Sequence, residues 1–116
     1  MVAHLDGYRL ETAQWDAIIS IWCHLPSAIR SAVHRQVVGG LKPRGVFLLE
    51  AYTPQQISYG TGGPQEVDLL PTLAELREDL RGMEFIVATE KERVVHEGAG
   101  HTRLSAVVQI VATRPA

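Results

Sequence analysis

The sequence has one cysteine, Cys23, so an internal disulfide is excluded. That usage fits a reducing, cytoplasmic compartment. Its most apolar run, Ala17 to Cys23, contains Ser20 and falls far short of the roughly 20 residues that a membrane-spanning helix needs. The opening "MVAHLDGYRL" lacks the apolar core of a signal peptide. There is no block of like charge: 11 basic and 13 acidic side chains are mixed along the chain, for a net charge of −2. Without a clustered basic face, non-specific nucleic-acid binding is not expected. His24, His96 and His101 stand apart with no HxxxH or CxxC spacing, which argues against zinc. No nucleophile elbow, internal repeat or low-complexity segment is visible.

What is present is an ordinary globular composition in 116 residues, 46% apolar and 21% charged, the size of one domain spanning 1–116. Ala17 to Cys23 is rich in isoleucine with no period of two, which predicts a strand buried on both faces with Cys23 inside it. Pro26 or Ser27 opens a helix. Ile29, Ala32, Val33, Gln36 and Val37 follow the 3.6-residue period, and Gly39-Gly40 closes the helix. "LKPRG" reads as a turn, and "VFLLEAY", Val46 to Tyr52, as a second fully buried strand. Strand, helix and strand with short joins form a βαβ unit with parallel strands. "TPQQISYGTGGPQEVDLLP" is a long Gly- and Pro-rich connection without a clear period, the kind that is functional or mobile in a compact domain.

Thr72 and Glu75 have the spacing of a capping box, Leu73, Leu76 and Leu80 supply that helix's buried face, and Gly82 stops it. "MEFIVATEKERVV" and "TRLSAVVQIVATRP", joined by a short link, predict an antiparallel hairpin. The order is β-α-β-α-β-β, an α/β fold with two helices on the sheet.

Read together, "WDAIISIWCHLP", "LKPRGVFLLEAYTPQQ", "GTGGP", "LREDLRGMEF" and "ERVVHEGAGH" resemble bacterial class I S-adenosylmethionine-dependent methyltransferases, in the branch described as tellurite-resistance-like. The resemblance covers nearly the whole chain. It implies a partial Rossmann-like sheet of about four strands, corresponding to the fourth to seventh of the family's seven, in the order 4-5-7-6 with the last strand antiparallel. The chain then corresponds to the C-terminal half of such a domain. It lacks the glycine-rich loop that follows the family's first strand and the acidic residue that ends its second. The only glycine cluster inside the fold, Gly60 to Gly63, follows the second predicted strand and leads into Pro64, so it is not that loop. Arg44 and Arg103 each stand where the family commonly has glycine.

The resemblance also nominates residues. His24, Glu50 and Tyr52 are candidates for chemistry at the carboxyl ends of the first two strands, where α/β sheets bind ligands. His4 or Asp6, with Trp22 and His24, are candidate cofactor contacts. Gly62, Gly63, Arg93, Glu97 and His101 are candidates to line a substrate. Glu50 lies in an apolar strand and needs a partner. Arg93 and His101 are available for that, so the alternatives are a structural ion pair and a substrate contact. S-adenosylmethionine is the cofactor implied by resemblance, and this chain alone is not expected to bind it.

Three functions follow. The chain is a folded binding or interaction module without methyl transfer of its own; or it works in methyl transfer with a cofactor half from another polypeptide; or its strand-end crevice binds an unrelated small molecule. Ala17–Cys23 carries no charge and no proline. Its outer edge is therefore expected to recruit a second copy as a homodimer, by antiparallel pairing into an eight-stranded sheet. In the other arrangement residues 2–10 cover that edge and helix faces make the contact.

Overall fold

The computed structural model describes residues 10–60, 63–96 and 102–116. Among them, four strands form one sheet: β1 (Trp15–Ile21), β2 (Leu41–Tyr52), β3 (Glu84–His96) and β4 (Thr102–Thr113). The spatial order is β1-β2-β4-β3. β1 and β2 are parallel, while β4 runs antiparallel to both β2 and β3. This is the expected 4-5-7-6 arrangement. Three helices accompany it: α1 (Ser27–Gly40), the single-turn α2 (Gln56–Tyr59) and α3 (Leu73–Asp79).

The two faces of the sheet are covered differently. Ile18, Phe47 and Ala112 lie side by side in register, as do Leu49 and Ile110. Those positions face α1 and α3, and the main core of Val37, Leu41, Phe47, Leu49, Leu76, Leu80, Val108 and Ile110 sits there. The opposite face carries Ile19, Leu48 and Val111 in one row and Ile21, Glu50 and Gln109 in the next. At its upper end a second cluster, Tyr52, Leu70, Val95 and Val107, is packed against Trp22, which follows β1, and Ile57 from the connection after β2. Lower down this face is open. Ile19 is 65% exposed, Ile21 50% and Leu48 38%.

That openness corrects the reading of β1 as a strand buried on both faces, and of β2 as fully buried. An apolar run without a period of two records that both faces want cover, but it cannot show whether cover exists. Cys23 is likewise exposed, not buried.

α1 also departs from expectation. Its buried positions are Arg30, His34, Val37 and Gly40. Ile29, Val33 and Gln36 are only half-buried, and Ala32 is exposed. The stripe chosen by hydrophobicity lies beside the true inner face, because buried polar groups anchor that face. Arg30 donates to the Leu25 and Asp68 carbonyls at 3.2 and 3.0 Å and to Glu75 at 3.3 Å. His34 Nδ1 lies 3.3 Å from Asp79 Oδ2. Both ties bind α1 to α3 and its approach. Gly39 and Gly40 do not end the helix in a left-handed turn; both belong to it, and the chain passes directly into extended Leu41. "LKPRG" is correspondingly the irregular start of β2, where Trp15 pairs with Leu41 but Ala17 pairs with Val46.

The capping box is formed as expected: Thr72 accepts from the Glu75 N–H, and Glu75 accepts from the Thr72 N–H. Leu76 and Leu80 are buried below it. The long connection is not structureless. It holds α2 and a 3-10 turn at Val67–Leu69, and buried Gln56 accepts from the Ala106 N–H at 2.8 Å, fastening it to β4.

Candidate functional site

β1 and β2 run parallel, so their carboxyl ends lie side by side. At this end β1 breaks off sharply. Trp22 takes φ +53, a conformation costly for a bulky residue, while its N–H still donates to the Glu50 carbonyl at 2.9 Å. The turn lays the Trp22 ring on Tyr52, with centroids 4.6 Å apart and planes 23° apart. His24 also stacks on Tyr52, at 5.5 Å and 11°. His24 Nε2 accepts from the Tyr52 N–H at 3.1 Å. Partial burial lowers the His24 pKa, outweighing a hydrogen bond to the Trp22 backbone that pulls it upward; the Arg30 charge lowers it further. Gly63 seats itself against the same tyrosine with φ +84, and a Cβ there would stand 2.8 Å from the ring. The glycine is required by close approach as well as by its dihedral angle.

Glu50 sits next to this stack and is 14% exposed at its side chain. Arg93 grips it at two points, Nε to Oε2 at 2.8 Å and Nη2 to Oε1 at 2.6 Å. Gln109 Nε2 adds a third bond to Oε2 at 2.6 Å. Desolvation pushes the Glu50 carboxyl up, but the bonds from Arg93 and Gln109 and the Arg93 charge outweigh it and hold the pKa below its ordinary value. The guanidinium also lies 5.9 Å from the centroid of the Trp22 ring. Below the carboxylate a shallow depression of about 360 Å³ opens between Ile21, Leu48, Val87 and Val111.

The fold therefore gathers Trp22, His24, Glu50, Tyr52, Gly63 and Arg93 into one connected cluster. Between the two alternatives for Glu50, the geometry shows an ion pair with Arg93. His4, Asp6, Gly62, Glu97 and His101 lie outside the described residues. Gln109 was missed by reading the sequence. It is the one amide in the apolar run "AVVQIVA", and such a group needs a partner when buried. The ties of Arg30 to Glu75 and of His34 to Asp79 were missed too, because each joins residues 45 positions apart.

Chemically, the cluster is occupied with itself. His24 spends Nε2 on Tyr52 and bonds the Trp22 backbone, and both Glu50 oxygens are engaged by Arg93. Neither is poised as a base or as a free acceptor for ribose hydroxyls. Among them no group of three His, Cys, Asp or Glu gathers to hold a metal, and no helix is long and apolar enough to cross a membrane.

No family model and no curated protein matches the sequence. Solved structures do match. A methyltransferase from Methanosarcina mazei, S-adenosylmethionine-dependent, superposes with a TM-score of 0.64 at 16% identity, over 99% of this chain and 66% of its own. TehB from Haemophilus influenzae gives a TM-score of 0.73 at 15% identity, over 98% of this chain and 40% of its own. The [4+2]-cyclase SpnF gives 0.64 at 12% identity, over 100% of this chain and 55% of its own. The chain thus spans between two-fifths and two-thirds of the length of these structures. Identities this low speak for the fold alone, and a cyclase on the same fold shows that the fold does not fix the reaction. This chain has part of the fold of S-adenosylmethionine-dependent methyltransferases.

Proposed function

We propose that this chain corresponds to the C-terminal, substrate-side half of a bacterial class I methyltransferase domain of the tellurite-resistance-like branch, and that by itself it is an interaction module without methyl transfer. The observation that carries this reading is the self-satisfied cluster at the strand ends. Glu50 is closed by Arg93 and Gln109, and His24 is committed to the Tyr52 backbone. Groups spent on one another in this way hold a fold together; they do not wait for a substrate. The module acts through its uncovered surfaces, the β1 edge first, where a second copy completes the sheet. Calorimetric titration of the chain with S-adenosylmethionine is expected to show no binding, and micromolar affinity would overturn the reading.

The open sheet face favours a second reading. Ile19, Ile21, Leu48 and Val87 are exposed together on the side away from α1 and α3. A separate polypeptide carrying a cofactor half would cover them. S-adenosylmethionine would then be held by that partner, and Trp22, His24 and Tyr52 would position a small-molecule substrate. Co-expression with such a partner distinguishes the two: a stable complex with methyl transfer supports this reading, and the absence of both leaves the module standing alone.

A further inference from the structure

We propose that the cleft between β1 and α1 is a binding site for a small, neutral, largely apolar molecule carrying one hydrogen-bond donor, recognised by Nε2 of His34. The cleft lies between the free edge of β1 and α1, and Glu50 is not among its lining residues. Its volume is about 270 Å³, and its walls are mostly apolar, with Ile18, Ile21, Val33, Val37 and Phe47 among them. Engineered cavities of roughly 150 Å³ already accept benzene, so a fused bicyclic ring system fits this one.

The polar feature sets the cleft apart from a bare apolar groove. His34 forms part of its wall, yet the side chain is only 6% exposed and its Asp79 partner 7%. Burial pushes the Asp79 carboxyl up, but hydrogen bonds from His34 and Ser31 and the charges of His34 and Arg30 outweigh it and hold the pKa below the ordinary range. With Asp79 accepting at Nδ1, the uncharged form of the ring carries its lone pair on Nε2. No described residue bonds to it, and Phe47 holds the ring in an edge contact at 5.9 Å. An oriented acceptor in an apolar wall selects a donor-bearing ligand over its alkylated analogue, because the ether leaves the acceptor unpaired.

The probes are 1-naphthol, 1-methoxynaphthalene and naphthalene, titrated into the 116-residue chain by 1H–15N chemical-shift mapping. The expected result is saturable shifts from 1-naphthol confined to β1 and α1, with both analogues binding at least about tenfold more weakly. Val33→Trp, which fills the cleft and leaves the His34–Asp79 pair intact, is expected to abolish the shifts. Equal affinity for naphthol and its methyl ether overturns the proposal. So does the absence of saturable shifts, their persistence in Val33→Trp, or shifts in the cleft that follow protein concentration and not naphthol, which would mark a second copy as the occupant.

Discussion

Glu50 and Arg93 are 43 residues apart in sequence and meet through two hydrogen bonds of 2.8 and 2.6 Å. One group comes from β2 and the other from the far edge strand β3, with β4 between them. The pair is a clasp across three strands, tightened by Gln109 from the middle one. Removing one side leaves the other half-buried and under-bonded. Arg93→Ala is expected to destabilise the chain by about 1–2 kcal/mol, less than a fully buried pair because Arg93 is partly exposed. In a double-mutant cycle in urea, Glu50→Gln with Arg93→Ala is expected to cost about 1 kcal/mol less than the sum of the two. Additive losses would mean that the clasp contributes nothing.

Arg44 holds φ +69 at the irregular start of β2, where L side chains other than glycine lose about 1–2 kcal/mol. Arg44→Gly relieves that strain and loses part of the gain to unfolded-chain entropy, about 0.5–1 kcal/mol. The expected outcome is a melting temperature a few degrees higher. The neighbouring Gly45 has the opposite expectation. A Cβ there would stand 2.9 Å from the Lys42 carbonyl oxygen and 3.1 Å from that of Asp16, so Gly45→Ala should destabilise by about 1–3 kcal/mol. The pair of thermal melts tests both signs at once.

The pKa of His24 is lower in the fold than in the unfolded chain. At mildly acidic pH the unfolded state therefore binds more protons, and stability rises with pH. The His24 contribution is complete above its ordinary value of about 6.5 and is lost as pH falls through the lower folded value. Asp79 and Glu50, both held below their ordinary values, add a second loss below about pH 4. Denaturation midpoints measured from pH 7.5 to 3 should fall in two stages, and His24→Asn should flatten the first while leaving the second.

β1 pairs with β2 and with no other strand among the described residues. Its seven residues carry one charge, Asp16. β3, the other edge, has a register shift between Phe85 and Val87 and charges at Glu84, Glu90, Lys91, Glu92 and Arg93. Bulges and charges blunt an edge; β1 has its one charge and its register shift at its start, by Asp16, and the stretch Ile18–Ile21 has neither. Light scattering at micromolar concentration is expected to give a mass near twice 12.8 kDa, and Ile19→Lys to shift it toward the monomer. A monomeric wild-type mass would remove the second copy from the proposal.

The sequence by itself determined the order of the four strands and of α1 and α3 along the chain. The elements rest on local chemistry: an isoleucine-rich run for β1, an apolar run for β2, the Thr72–Glu75 capping box, and two segments on a short link; the order of the strands in the sheet came from the resemblance. It also marked Glu50 as a carboxylate in need of a partner and placed Arg93 among the candidates. Tertiary structure decided the rest. Arg30 and His34 look like surface positions of α1 and are its anchors, because their partners Glu75 and Asp79 arrive from another helix. Burial of a charged group is fixed by what it meets, and hydrophobic periodicity is blind to that. The exposure of Ile19, Ile21 and Cys23 was equally beyond the sequence. A strand's residues state which faces require cover; only the packing of the other elements decides which face receives it.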